Sequence, residues 1–157
     1  MLIKLPIFWV VTLNIAGWLV IQIGLAWLFL RLPVRWFERQ PSTPPGRGDF
    51  FYEHILFIKS WKSRLPDAAR WFGGGFAKGA LAGKNPGYLR RFVVETRRGE
   101  LCHWLAIAST PLFLIWNPWW GGLVNLGYAL AANLPCILAQ RYNRARLLKL
   151  LSRNRAE

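Results

Sequence analysis

Between Lys4 and Arg31 the chain reads LPIFWVVTLNIAGWLVIQIGLAWLFL (residues 5–30), without one charged side chain. A helix needs about 20 mostly apolar residues to cross the hydrocarbon core of a bilayer. The run therefore predicts a first membrane span over residues 6–30. A signal-peptide apolar region covers only about 7–15 residues. This run is longer, and no small-x-small cleavage site follows it, so an uncleaved span is expected. Asn14 and Gln22 lie within it, and polar residues at membrane depth face protein rather than lipid.

A second uncharged tract runs from Leu101 to Gln140, with His103 as its one group of ordinary pKa near neutrality. It is interrupted by Asn117-Pro118-Trp119-Trp120-Gly121-Gly122, where proline and paired glycines stop helices and tryptophans belong at an interface. The tract predicts a hairpin of two spans, 101–116 and 121–139, the first short and interrupted by Pro111. Lys4 is the one basic residue before the first span. All the others fall in 31–98 or from Arg141 onward. By the positive-inside rule the loop 31–100 and the tail 140–157 are cytoplasmic, and the N-terminus and hairpin tip are outside.

Composition agrees. The 157 residues are 54% hydrophobic, yet carry a net charge of +14 and ten tryptophans. A bilayer reconciles these extremes, because apolar residues face lipid while basic ones face anionic headgroups. The expectation is one all-α integral membrane domain, 1–157, in the bacterial cell membrane, with about three transmembrane helices plus an interfacial amphipathic helix. A nucleic-acid partner is not expected, since no basic module is separable from the apolar spans. Cys102 and Cys136 sit in apolar segments without metal-ligand spacing and read as small buried hydrophobes.

The interfacial helix is expected in FFYEHILFIKSWK (residues 50–62), where Phe50, Phe57, Ile58, Trp61 and Leu65 share one helical face. Proline-rich turn material at 41–46 precedes it. The glycine-rich stretch from Trp71 to Gly87 lacks the order of a phosphate loop and reads as a lid or a partly inserted loop.

The chemistry-bearing residues cluster at the two cytoplasmic ends of the hairpin. Thr96, Glu100 and His103 share a helical face, and Glu100 and His103 are close enough in spacing for their side chains to meet. A carboxylate beside an imidazole favours its protonated form and orients the ring. Asn133, Gln140 and Arg144, spaced by seven and four, form a second stripe, extended by Tyr142, Asn143 and Arg146. Anchoring at headgroups needs only Lys or Arg, so the amides and the tyrosine point to binding of something polar. Nucleophile-elbow, zincin and acyltransferase-box motifs are absent from the sequence. An enzyme built on these residues would use a general base and positioning rather than a covalent serine.

The strings ETRRGELCHW (95–104) and QRYNRARL (140–147), with Tyr128-Ala129, Ala132-Asn133-Leu134-Pro135, Trp61-Lys62 and Leu65-Pro66-Asp67, resemble the bacterial glycosyl-4,4'-diaponeurosporenoate acyltransferases. The resemblance runs from the end of the first span to Leu147. It implies transfer of a fatty acyl group to a sugar hydroxyl of a glycosylated carotenoid.

On that footing His103, oriented by Glu100, is the expected catalytic base. Glu95, Arg97, Arg98, Asn133, Gln140, Arg141, Tyr142, Asn143 and Arg144 are the expected substrate-binding set. Asn133 or an arginine is expected to stabilise the oxyanion, and Arg141, Arg144, Arg97 and Arg98 to hold the donor's phosphates. No metal or cofactor is expected beyond an acyl-coenzyme A or acyl-carrier thioester as co-substrate. The expected partners are a lipid or carotenoid-glycoside acceptor, the acyl donor and anionic membrane lipid. Two alternatives are a non-catalytic membrane scaffold of a lipid pathway and a small membrane methyltransferase or reductase.

Overall fold

The apolar run at the N-terminus forms helix α1, Ile7–Arg31. Its 25 residues rise about 37 Å, more than a hydrocarbon core. Leu32, held extended by the proline that follows, ends it. The apolar side chains of α1 point outward: Ile7, Phe8, Ile15 and Val20 are each more than half exposed, and Trp18 alone is buried. A surface of this kind calls for an apolar surrounding.

The computed structural model describes residues 1–38, 51–65 and 85–153. Its remaining helices are α2 (Ile58–Trp61), α3 (Pro86–Ala108) and α4 (Trp119–Arg153). Among the described residues, all regular structure is helical, and α1 and α4 are the two helices long and apolar enough to cross a membrane.

The expected second span, 101–116, is not a helix of its own. Helix α3 starts at Pro86, where Asn85 accepts a hydrogen bond from Gly87 N–H at 2.9 Å and the proline occupies the first turn. It ends at Ala108, ahead of Pro111, and Thr110–Ile115 continue as 3-10 turns. The expected third span lies within α4, but that helix runs on without a break to Arg153 and carries Gln140 to Arg146 with it.

The expected interfacial helix is also interrupted. Phe51–Ile55 form a π turn, Phe57 adopts a left-handed conformation (φ 46°), and α2 is a single turn followed by a 3-10 turn at Lys62–Arg64. Ile58 is completely buried while Phe57 is exposed, so the two do not share a face. Phe50, the proline-rich turn and the glycine-rich stretch up to Lys84 lie outside the described residues.

Helices α3 and α4 form an antiparallel pair. Leu89, Phe92 and Val93 pack on Leu147 at one end, and Phe113 packs on Ala129 and Trp18 at the other. The N-terminus lies at that second end, where Leu2 and Ile3 N–H donate to Ile115 O at 2.8 and 3.0 Å. Phe113 comes close to α1 at Gly17, where a Cβ would meet its ring at 3.1 Å.

Asparagines key α1 to α4. Asn14, Trp18 and Gln22 recur every four residues on α1, and Asn117, Asn125 and Asn133 every eight along the opposing row. Each of the latter three donates its amide to the carbonyl four residues earlier, at Phe113, Gly121 and Ala129. Each Oδ1 then accepts from α1: from Asn14 Nδ2 at 3.1 Å, Trp18 Nε1 at 2.8 Å and Gln22 Nε2 at 3.4 Å.

Candidate active site between α3 and α4

The last rung of this ladder holds the histidine. His103, half-buried on α3, brings Nδ1 to 2.9 Å from Asn133 Oδ1. Asn133 is completely buried, and both ends of its amide are engaged, because Nδ2 donates to Ala129 O at 2.9 Å.

One turn below, Glu100 is clamped from α4. Arg141 Nε lies 2.6 Å from one carboxylate oxygen and Arg144 Nη2 2.7 Å from the other. Burial raises the Glu100 pKa, but the hydrogen bonds from Arg141 and Arg144 outweigh it and hold the group below its ordinary value. The expected pairing of Glu100 with His103 therefore differs from the geometry in its partners. Glu100 gives both oxygens to arginines, and Asn133 accepts from the ring.

Beside this layer Gln140 Oε1 and Arg144 Nη1 are buried without a hydrogen-bond partner among the described residues. They stand four residues apart, on one face of α4.

The remaining expected residues divide between two further clusters. Glu95 is buried and pairs with Arg98, at 3.0 and 3.1 Å, and with Arg91 at 3.0 Å. Arg98 also donates to Leu32 O and lies over the Phe37 ring, while Arg97 donates to Phe37 O. Glu95, Arg97 and Arg98 thus tie the exit of α1 to α3. Tyr142 and Asn143 face the segment 51–65: Tyr142 Oη donates to Glu53 Oε1 at 2.7 Å, and Lys62 Nζ donates to Asn143 Oδ1 at 3.2 Å.

Gln22 and Trp104 stand at the site beside Asn133 and Arg141, and Glu53 and Lys62 belong to the neighbouring cluster; no motif in the sequence assigns them to either. Trp104 lies under the Arg141 guanidinium, 5.9 Å from its centroid. The signal for Gln22 was present in the four-residue spacing Asn14–Trp18–Gln22.

Fold and site together define a small all-helical protein with a histidine, a carboxylate and two arginines gathered between two helices. The family model for glycosyl-4,4'-diaponeurosporenoate acyltransferase matches residues 33–153. Proteins of that name from Staphylococcus aureus strains USA300, NCTC 8325 and Newman are each 30% identical over 138 residues, covering 85% of this chain and 83% of theirs. No solved structure matches. The chain belongs to the glycosyl-4,4'-diaponeurosporenoate acyltransferase family. It is an acyltransferase, which sets aside the scaffold and methyltransferase or reductase alternatives.

Proposed function

We propose that the chain moves a fatty acyl group from a thioester donor to a sugar hydroxyl of a glycosylated carotenoid or similar glycolipid, with His103 as general base. One observation carries this reading: His103 Nδ1 faces the oxygen of an asparagine whose nitrogen is already committed to Ala129 O. Nδ1 therefore donates, and the neutral ring keeps its lone pair on Nε2. Asn133 acts through His103, as a positioning residue.

Nε2 takes the proton of the sugar hydroxyl as the oxygen bonds to the thioester carbonyl carbon. Collapse of the tetrahedral adduct breaks the C–S bond, and the thiolate leaves with the proton from the imidazolium. The products are an ester and a thiol, and the ring returns to its neutral form. Gln140 Oε1 and Arg144 Nη1, a buried acceptor and a buried donor, suit a sugar hydroxyl, which both donates and accepts. The names of the Staphylococcus relatives support a carotenoid glycoside as acceptor.

The protein works in the bacterial cell membrane as a multi-pass protein, its N-terminus outside and the basic end of α4 cytoplasmic. The outward apolar faces of α1 and α4 and the distribution of basic residues support this topology. So do the hydrogen bonds that keep Leu2 and Ile3 beside Ile115. The donor is an acyl-coenzyme A or an acyl-carrier thioester, and the reaction needs no metal.

The test is acyl transfer from palmitoyl-coenzyme A to a glycosylated carotenoid by purified protein in lipid. His103→Ala should lower kcat by about 10²–10⁴-fold, the usual contribution of a general base. A folded His103→Ala protein that keeps the wild-type rate overturns the assignment.

A further inference from the structure

Arg141 and Arg144 are committed to Glu100, and Arg98 to Glu95. Three of the four arginines expected to hold the donor's phosphates thus already have carboxylate partners, and Arg97 donates to Phe37 O. A cluster between α4 and the segment 51–65 instead holds more cations than its one carboxylate.

Tyr142, completely buried, donates to Glu53 Oε1, and Lys59 Nζ lies 2.6 Å from Glu53 Oε2. Lys62 Nζ stands 4.8 Å from the centroid of the Tyr142 ring, and the Arg146 guanidinium 5.6 Å from the same centroid. Three cations thus converge on one carboxylate, leaving two positive charges uncompensated among the described residues. Lys59 and Arg146 are exposed, so the cluster is open to a ligand, while Lys62 is half-buried beside Asn143.

We propose that Lys59, Lys62 and Arg146, gathered round the hydrogen-bonded pair Tyr142 and Glu53, form a phosphate-binding site. Its occupant carries phosphate either as the head of the thioester donor, which rests on the donor proposed above, or as a membrane phospholipid headgroup. The excess of two charges matches a phosphate dianion or a diphosphate better than a second carboxylate. Burial, with Arg146 and Lys59 nearby, holds the Lys62 amine below its ordinary pKa. An anion at this point would relieve that crowding. Position favours the donor: nine residues of α4 separate Asn133 from Tyr142, about 14 Å along the axis. That is the kind of interval an extended pantetheine arm bridges between its sulfur and its phosphate.

The experiment uses the full chain in neutral sugar detergent, with the double variant Lys62→Gln/Arg146→Gln and the conservative Lys62→Arg. The binding probes are coenzyme A and short-chain phosphatidylglycerol. The kinetic probes are palmitoyl-coenzyme A and palmitoyl-N-acetylcysteamine, which has no phosphate.

If the donor is the source, coenzyme A affinity falls at least tenfold in the double variant. The kcat/KM preference for palmitoyl-coenzyme A over the phosphate-free thioester shrinks by a similar factor, and Lys62→Arg retains both. If the headgroup is the source, phosphatidylglycerol affinity falls at least tenfold and the preference between donors stays. Unchanged affinity for both phosphate probes overturns the site. So does an equal loss of turnover with both thioesters at unchanged affinity, which would mark a structural role only. His103→Ala should bind coenzyme A as the wild type does, so failure of the general-base reading shows separately.

Discussion

Asn133 Oδ1 stands 2.9 Å from His103 Nδ1, across the interface of α3 and α4, and the asparagine cannot turn its amide round without giving up Ala129 O. A hydrogen bond with one permitted sense fixes both the tautomer and the tilt of the ring. The proposed base needs this from its neighbour, and a different helix provides it.

Asn133→Leu should therefore lower kcat about 10²-fold, in the range that misplacement of a reacting group costs. KM for the acyl donor should stay within about twofold, because the donor does not depend on the ring's orientation. Steady-state kinetics with both substrates varied checks this. A rise in KM at unchanged kcat would place Asn133 on the substrate instead.

Glu100 contributes stability through its ionised form. Its folded pKa lies below the ordinary 4.5, so the contribution is complete above that value and is lost as pH falls through the folded one. Glu100→Gln should be less stable than the wild type at pH 7 by about 2 kcal/mol, short of the full cost of breaking a buried pair because Arg141 is 44% exposed. The gap between the two proteins should narrow as pH drops below 4.5. Thermal unfolding in detergent across pH 3–7 measures it.

Trp18 donates to Asn125 Oδ1 in a buried position. Trp18→Phe keeps an aromatic ring towards Phe113, stacked at 4.6 Å, and removes the donor together with part of the buried indole. The orphaned acceptor should cost about 1–3 kcal/mol. Trp18→Phe/Asn125→Leu, which removes both partners, should recover most of it. A double-mutant cycle on unfolding midpoints gives the coupling.

A Cβ on Gly122 would run into Leu114 Cδ2. That atom is the far end of a side chain that is 41% exposed and can turn aside. Alanine is also favoured over glycine within a helix by about 1 kcal/mol. Gly122→Ala should therefore change stability by less than about 1 kcal/mol, read from the same unfolding midpoints, and a larger loss would show that Leu114 is held in place.

Helix α1 and the break at Asn117-Pro118 were legible because hydrophobic length and helix-stopping residues are local signals. α3 was legible only in part. Its first half reads as a charged loop, but Arg91 and Glu95, and Glu95 and Arg98, pair along one helix face, and Asn85-Pro86 caps the start. The interfacial helix failed at Phe57, since periodicity cannot reveal a left-handed residue. The two stripes of candidate residues were legible from helical spacing, but their pairing was not. Spacing brings Glu100 and His103 to one face of one helix, whereas Asn133, Arg141 and Arg144 reach that face only through the register of α4 against α3.

The eight-residue rhythm of Asn117, Asn125 and Asn133 has a further consequence. The donors on α1 recur every four residues, so a slip of one helical turn, about 5.4 Å, puts Asn14 in Trp18's place and Trp18 in Gln22's. In either direction such a slip leaves one terminal asparagine, Asn117 or Asn133, without a donor from α1. The position of the N-terminal helix, which lies ahead of the family match at residue 33, is thus chosen by counting rungs: the native register is the one that fills every rung.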